Sequence, residues 1–315
     1  MRFCGANFSP VSNSSGARGF YGENYWYHPL WKLAGLSYKN CEFQAKTTTM
    51  HGRLGNMPLK EDGITPRELK PACIIVKFLK GVTLNAVGLS GPGAAKLLAS
   101  GRWQKRRKPF FISFMSVEKS AQDRLSELKE FVNLLLRYIP GFKASFGLEK
   151  NDSCPNVGLD TSLLLNEAGE AFDIMARLRI ALRYKVTATT PPQLVSEITK
   201  HPACDAITAP NTISWGKLPK RIDWKGLFGS DISPLAHLGG GGFSGWPVAS
   251  IACDWIRETR DFGCKKPIIA NGIHSWKDVK KVKQAGANGI QIGTVGMLRP
   301  WRTQHIINYA HELFK

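Results

Sequence analysis

Short apolar runs alternate with amphipathic helical stretches along most of this 315-residue chain. That alternation is the signature of βαβ units and a mainly parallel sheet. The apolar runs predict strands near Phe43–Thr49, Phe110–Met115, Ser145–Leu148, Arg183–Thr187, Ala206–Ala209, Pro267–Ala270 and Gly289–Ile292, with a first strand in the Asn7–Ser12 region. Between them, Leu125, Leu128, Val132, Leu135 and Ile139 repeat at the three-and-four spacing of a helix, and Pro140-Gly141 stops it. Trp246–Phe262, Lys277–Ala285 and Arg302–Phe314 read as further crossover helices. The expected fold is α/β, a (β/α)8 barrel, which takes about 250 residues before insertions. Arg53–Leu89, with Gly55-Asn56, Pro58, Pro66-Arg67 and the apolar Cys73-Ile74-Ile75-Val76, reads as a small β-rich excursion over one mouth. With no internal repeat or linker, residues 1–315 read as a single domain.

Composition narrows the function classes. Residues are 43% hydrophobic and 21% charged, enough to bury a large core and to set disorder aside. No apolar run approaches the roughly 18 residues a membrane helix needs, and the N-terminus lacks a signal core. The expectation is a soluble, cytoplasmic protein. The seven cysteines are odd in number, scattered and without a Cys-x-x-Cys pair, which argues against a disulfide framework and against a structural metal site. The net charge of +19 attracts polyanions non-specifically. Its densest run, Arg102 to Lys108, has Trp103 interleaved but leads straight into the apolar Pro109–Phe114, so it reads as a solvated loop ahead of a buried strand.

The chemistry concentrates at predicted strand ends, where barrels of this kind carry their catalytic residues. Asn151-Asp152-Ser153-Cys154-Pro155-Asn156 puts a thiol between two amides. A lone cysteine is usually a small buried hydrophobe, but this setting favours an acid–base role. A thiol pKa near 8.5 suits a base that takes a carbon acid's proton. Asn85 and Asn211-Thr212 add further amide and hydroxyl groups, a set matched to a planar ring with alternating C=O and N–H groups, such as a pyrimidine. Lys46 stands near a strand end, where a lysine either points outward or pairs with a ligand anion; Lys185 has the same setting. Asn271-Gly272 and Gly293-Thr294 follow the last two predicted strands. Each is compatible with an ordinary strand-to-helix turn, but as a pair they read as a phosphate cradle. Gly239 to Gly245 is a second glycine-rich loop, either a ligand contact or a flexible lid.

With these motifs in this order, the chain resembles the flavin-dependent dihydroorotate dehydrogenases, and more closely their class 1 branch, whose catalytic loop reads Asn-x-Ser-Cys-Pro-Asn. The resemblance runs from Asn13 to Pro300. It implies FMN as cofactor, no metal, and a reaction in which Cys154 takes the C5 proton of dihydroorotate while a hydride passes from C6 to the flavin, leaving orotate. It implies Lys46, Asn85, Asn151, Asn156, Asn211 and Thr212 around the substrate, and Ser15, Gly16, Lys46, Thr47, Asn151, Lys185, Ser244, Gly245, Asn271, Gly272, Gly293 and Thr294 around the flavin. For the segment at Ser15 and Gly16, ordinary turn chemistry is an almost equal explanation. Either fumarate, used by a homodimer, or an NAD-linked iron–sulfur partner subunit would serve as electron acceptor. A dihydropyrimidine dehydrogenase-like module is the nearest rival, although Asn156 replaces the His such enzymes tend to carry; a non-catalytic, polyanion-binding barrel is the more distant one. The chain departs from the family pattern at Asn271, where Gly is usual, at Ser90-Gly91-Pro92-Gly93, and after Gly158, where a segment of the active-site lid is missing.

Overall fold

The computed structural model describes residues 1–152 and 161–315, with the backbone alone for 161–165. Eight parallel strands form one sheet: β1 (Val11–Asn13), β2 (Phe43–Gln44), β5 (Phe110–Phe114), β6 (Phe146–Asn151), β7 (Ala181–Lys185), β8 (Ala206–Ala209), β11 (Ile268–Ala270) and β12 (Gly289–Ile292). Their order is β1-β12-β11-β8-β7-β6-β5-β2. The two edge strands meet, with Glu42 N–H donating to Val11 O at 2.8 Å and Asn13 N–H donating to Glu42 O at 3.1 Å. The sheet thus curls into a (β/α)8 barrel, as the alternation predicts. A short hairpin, Arg2–Phe3 with Ala6–Asn7, lies at its N-terminal end. There Phe8 packs against Phe111 at 4.8 Å between ring centroids.

Crossover helices bury their apolar stripes on the outside of the sheet. The longest, α1 (Ala121–Tyr138), starts at Ser120, whose hydroxyl accepts from Asp123 N–H, and hands over to a 3₁₀ turn at Ile139–Gly141. Phe131 of α1 stacks on Phe114 of β5 at 4.0 Å. Later come α2 (Thr161–Ala176), α3 (Pro192–Ile198), α4 (Val248–Asp261), α5 (Trp276–Gln284), α6 (Thr294–Leu298) and α7 (Thr303–Leu313).

The excursion is a second sheet. β3 (Ile74–Lys77) and β4 (Val82–Asn85) pair antiparallel, and β4 pairs in turn with β10 (Gly242–Gly245), which pairs with β9 (Ile213–Ser214). The glycine-rich segment expected as a loop is therefore partly a strand: Gly242–Gly245 runs beside Val82–Asn85. Its glycines allow close approach, since a Cβ on Gly245 would stand 2.7 Å from Gly81 O, at a φ of +147° that side chains rarely adopt. The basic loop is solvated ahead of a buried strand, as expected, except at two residues. Arg102, Lys105, Arg107 and Lys108 are exposed. Trp103, however, is fully buried and donates from Nε1 to Phe20 O, while Arg106 lies over Phe43 at 4.0 Å. The tryptophan is a core anchor rather than a nucleic-acid contact.

Candidate active site

Side chains alternate across each strand, so residues two apart stack in layers inside the barrel. At the N-terminal end lies Phe111. Above it is a polar layer around Glu149, which is fully buried. Glu149 accepts from Thr208 Oγ1 at 2.8 Å and from the side-chain amides of Gln44 and Gln291 at 3.4 Å each. Arg183 Nη2 donates to Gln44 Oε1 at 2.6 Å, and its guanidinium lies 3.3 Å over the Phe111 ring. Two residues further along the same strands come Ser113, Asn151 and Lys185, at the C-terminal mouth.

A cavity of about 420 Å³ opens at that mouth, between the strand ends and the second sheet. That is the usual size for a cofactor or small-molecule site. Every residue the sequence singled out and the structure describes lines it: Ser15, Gly16, Lys46, Thr47, Asn85, Asn151, Lys185, Asn211, Thr212, Ser244, Gly245, Asn271, Gly272, Gly293 and Thr294. Cys154 and Asn156 lie outside the described residues.

The polar groups form a connected floor. Thr47 Oγ1 lies 2.9 Å from both Ser15 Oγ and Ser113 Oγ and accepts from Asn151 Nδ2 at 3.2 Å. Asn211 Nδ2 reaches Asn151 Oδ1 at 3.5 Å, and Asn85 Nδ2 donates to Gly242 O at 3.2 Å. Two cations stand in this floor on different terms. Lys185 Nζ is 3.9 Å from Glu149 Oε1; burial and Arg183 pull its pKa down while Glu149 holds it up. Lys46 is buried and donates to Ser90 O at 2.8 Å, but it makes no ion pair among the described residues. Burial lowers its pKa to about 8, with Glu23 and Cys73 opposing. A buried ammonium whose partners are a carbonyl and the face of the Phe20 ring, 4.9 Å away, is costly without an anion.

The far end of the cavity suits a phosphate. Gly272 has a φ of +84°, and a Cβ there would stand 2.8 Å from Val248 Cγ1 and 2.9 Å from Ala249 N. The backbone approaches the start of α4 as closely as it does because that residue is glycine. Beside it, Asn271 Oδ1 accepts from Ser14 Oγ at 2.9 Å, while its Nδ2 is buried with no partner among the described residues. An orphaned buried donor at a glycine cradle fits the phosphate of a bound cofactor.

Sequence reasoning missed an aromatic wall. Tyr25, Trp26 and Tyr27 line the cavity, joined by Leu69, His274 and Met297. Tyr25 and Tyr27 stack at 5.9 Å, Tyr25 Oη donates to Gly16 O at 2.6 Å, and Trp26 Nε1 donates to Leu69 O at 2.7 Å. The run Tyr25-Trp26-Tyr27-His28 was the available signal, and a ring-binding pocket needs such surfaces.

Fold and site together define a class, a (β/α)8 barrel with an amide-lined, anion-seeking pocket at the strand C-termini. The family model described as dihydroorotate dehydrogenase matches residues 20–313, and the chain belongs to that family. It is therefore an oxidoreductase, of a family that works with a flavin. It is similar to the protein named dihydroorotate dehydrogenase B (NAD(+)), catalytic subunit, of Geobacillus sp. (strain WCH70), at 28% identity over 95% of this chain and 85% of that one. Proteins of the same name from Listeria monocytogenes serotype 4b (strain CLIP80459), 27% identical over 95% of this chain and 88% of theirs, and from Bacillus thuringiensis (strain Al Hakam), 27% identical over 88% of each, are similar too.

Proposed function

We propose that this chain oxidises (S)-dihydroorotate to orotate in pyrimidine biosynthesis, with FMN as its flavin and Cys154 as the base. The observation that carries the reading is Lys46, a buried ammonium with no ion-pair partner among the described residues, set into a floor of asparagine and threonine side chains. A uracil-like ring offers that charge only neutral carbonyl oxygens; orotate offers a carboxylate. Asn85, Asn151, Asn156, Asn211 and Thr212 hold the ring's amide and carbonyl edges, and the low dielectric of the pocket strengthens each contact.

FMN, when bound, accepts the hydride leaving C6. Ser15, Gly16, Thr47, Ser244 and Gly245 would flank the flavin along its length. Asn271, Gly272, Gly293 and Thr294 would hold its phosphate end, with the orphaned Asn271 Nδ2 as an added donor. Lys185 lies at the top of the barrel floor, where its charge favours the electron-rich reduced ring. Glu149 keeps that lysine in place. Cys154 takes the C5 proton, a role given by its sequence setting.

The names of the similar proteins, catalytic subunits of an NAD(+) enzyme, favour an NAD-linked partner subunit over fumarate as the electron route. A homodimer with a cytoplasmic location completes the proposal, and among the described residues no helix is long and apolar enough to cross a membrane. The discriminating experiment is a pair of titrations of the oxidised holoprotein. Orotate should perturb the flavin spectrum and bind far more tightly than uracil, and Lys46→Met should erase most of the difference. Equal affinities would favour the dihydropyrimidine alternative instead.

A further inference from the structure

A second cavity, of about 430 Å³, lies against the phosphate end of the first and shares a single lining residue with it, His274. Four cations line it, Lys80, Lys281, Arg299 and Arg302, against one carboxylate, Asp278. Asp278 is occupied locally, since its Oδ2 accepts from His274 N–H at 3.1 Å and from Ser275 Oγ at 2.9 Å. None of the four cations makes an ion pair among the described residues. Arg299 donates to the carbonyls of Phe78 and Leu298 and Lys80 donates to that of Leu227, contacts that fix the side chains without cancelling their charge.

Two further features separate this cavity from an ordinary basic surface. Trp246 stands in its wall 57% exposed, held by a hydrogen bond from Nε1 to Lys80 O at 3.1 Å, so an indole face is presented next to the cations. His274 is buried, and its Nε2 has no partner among the described residues. Burial holds it neutral, with Asp278 opposing and the neighbouring Arg299 and Arg302 adding smaller contributions in the same direction as burial. A buried ring nitrogen without a partner is costly. The wall it shares with this cavity is where a partner would reach it.

We infer that this second cavity is a nucleotide site, with the phosphates held by Arg299, Arg302 and Lys281 and the base stacked on Trp246. Phosphate recognition by guanidinium and ammonium groups beside an aromatic platform is the chemistry such ligands require. The inference is independent of the proposed reaction, because the cradle at Gly272 and Gly293 belongs to the first cavity alone.

The test is calorimetric titration of the flavin-loaded protein with ADP, adenosine and inorganic pyrophosphate, while flavin fluorescence reports any release. ADP should bind one-to-one without releasing flavin, and both adenosine and pyrophosphate should bind more weakly. Lys281→Glu and Trp246→Ala should each weaken ADP by about tenfold, the loss of one charge-assisted or stacking contact, while dihydroorotate oxidation without nucleotide is unchanged. Four results would overturn the inference: no ADP binding at millimolar concentration, release of flavin by ADP, pyrophosphate binding as tight as ADP, or full ADP affinity in both variants.

Discussion

Ser14 Oγ donates to Asn271 Oδ1 at 2.9 Å across the barrel mouth, joining the turn after β1 to the turn after β11 and leaving the Asn271 Nδ2 donor buried and without a partner among the described residues. The bond fixes which way the amide faces, so the free donor points away from Ser14. If that donor meets the cofactor phosphate, Asn271→Ala removes one charge-assisted hydrogen bond. The expected loss is about 1.5–3 kcal/mol of flavin affinity, read as a rise in Kd on reconstitution of the apoprotein. Ser14→Ala should cost less, since it only loosens the amide.

Lys46 gives a pH dependence with a definite sign. Its pKa in the free protein is lowered to about 8 by burial, so the ammonium that would receive the orotate carboxylate is present below that pH and lost above it. Orotate affinity should be level below pH 8 and fall as pH rises past it, since only the charged lysine pairs with the carboxylate. Lys46→Met should bind orotate weakly with no break near pH 8. The same group bears on stability. The folded pKa is below the usual lysine value, so the unfolded chain holds the extra proton between about 8 and 10.5, and the burial cost is relieved as pH rises through that window.

Glu42 provides a second titration, away from the pocket. Its carboxyl is pushed up to about 7, chiefly by burial, although Arg183 and the Ser9 N–H bond at 2.9 Å oppose the rise. The folded protein therefore holds a proton that the unfolded chain releases from about pH 4.5 upward, and Glu42 lowers stability as pH climbs from 4.5 to 7. Glu42→Gln should narrow that decline in Tm across the window and leave Tm near wild type below it.

The buried pair of Glu149 and Lys185 should be costly to break. Glu149→Gln leaves Arg183 and Lys185 short of their counter-charge within a fully buried layer. Removing one member of a buried ionic group typically costs about 3–5 kcal/mol. Urea unfolding should show a loss of this size, and a variant as stable as wild type would mean that the layer is held by its amides alone.

The basic loop should be separable from the chemistry. It precedes β5 at the barrel's N-terminal end, while the cavity opens at the other. Replacing Lys105, Arg107 and Lys108 by Gln should lower retention on heparin and leave turnover almost unchanged. Arg106 is left out because its guanidinium lies over Phe43 and Phe110 and donates to Tyr21 O at 3.0 Å, a structural role.

The strands of the barrel were legible because each is a short apolar run with its polar residues at the C-terminal end. For Ala206–Ala209 and Gly289–Ile292 the boundaries agree to the residue. Elsewhere the errors have physical causes. Phe43–Thr49 shrinks to Phe43–Gln44 because the chain beyond it bends into the pocket floor, with only an isolated bridge from Thr48 to Phe114. Gly242–Gly245 was unreadable as a strand because glycines carry no alternation, and its pairing with Val82–Asn85 is a contact between residues far apart in the chain. The polar pocket residues were visible through their motifs. The aromatic wall was not, since Tyr25 is tied to Gly16 nine residues before it and Trp26 to the distant Leu69, contacts that no spacing rule predicts.

The most direct test of the account is the visible spectrum of the purified protein, followed by anaerobic titration with dihydroorotate. The purified protein should be yellow and carry about one non-covalent FMN per chain. Dihydroorotate should bleach its flavin band, and Cys154→Ala should retain the flavin while slowing that bleaching by about 10²–10⁴-fold. A colourless protein that takes up no added FMN, or a flavin that dihydroorotate leaves oxidised, would contradict it.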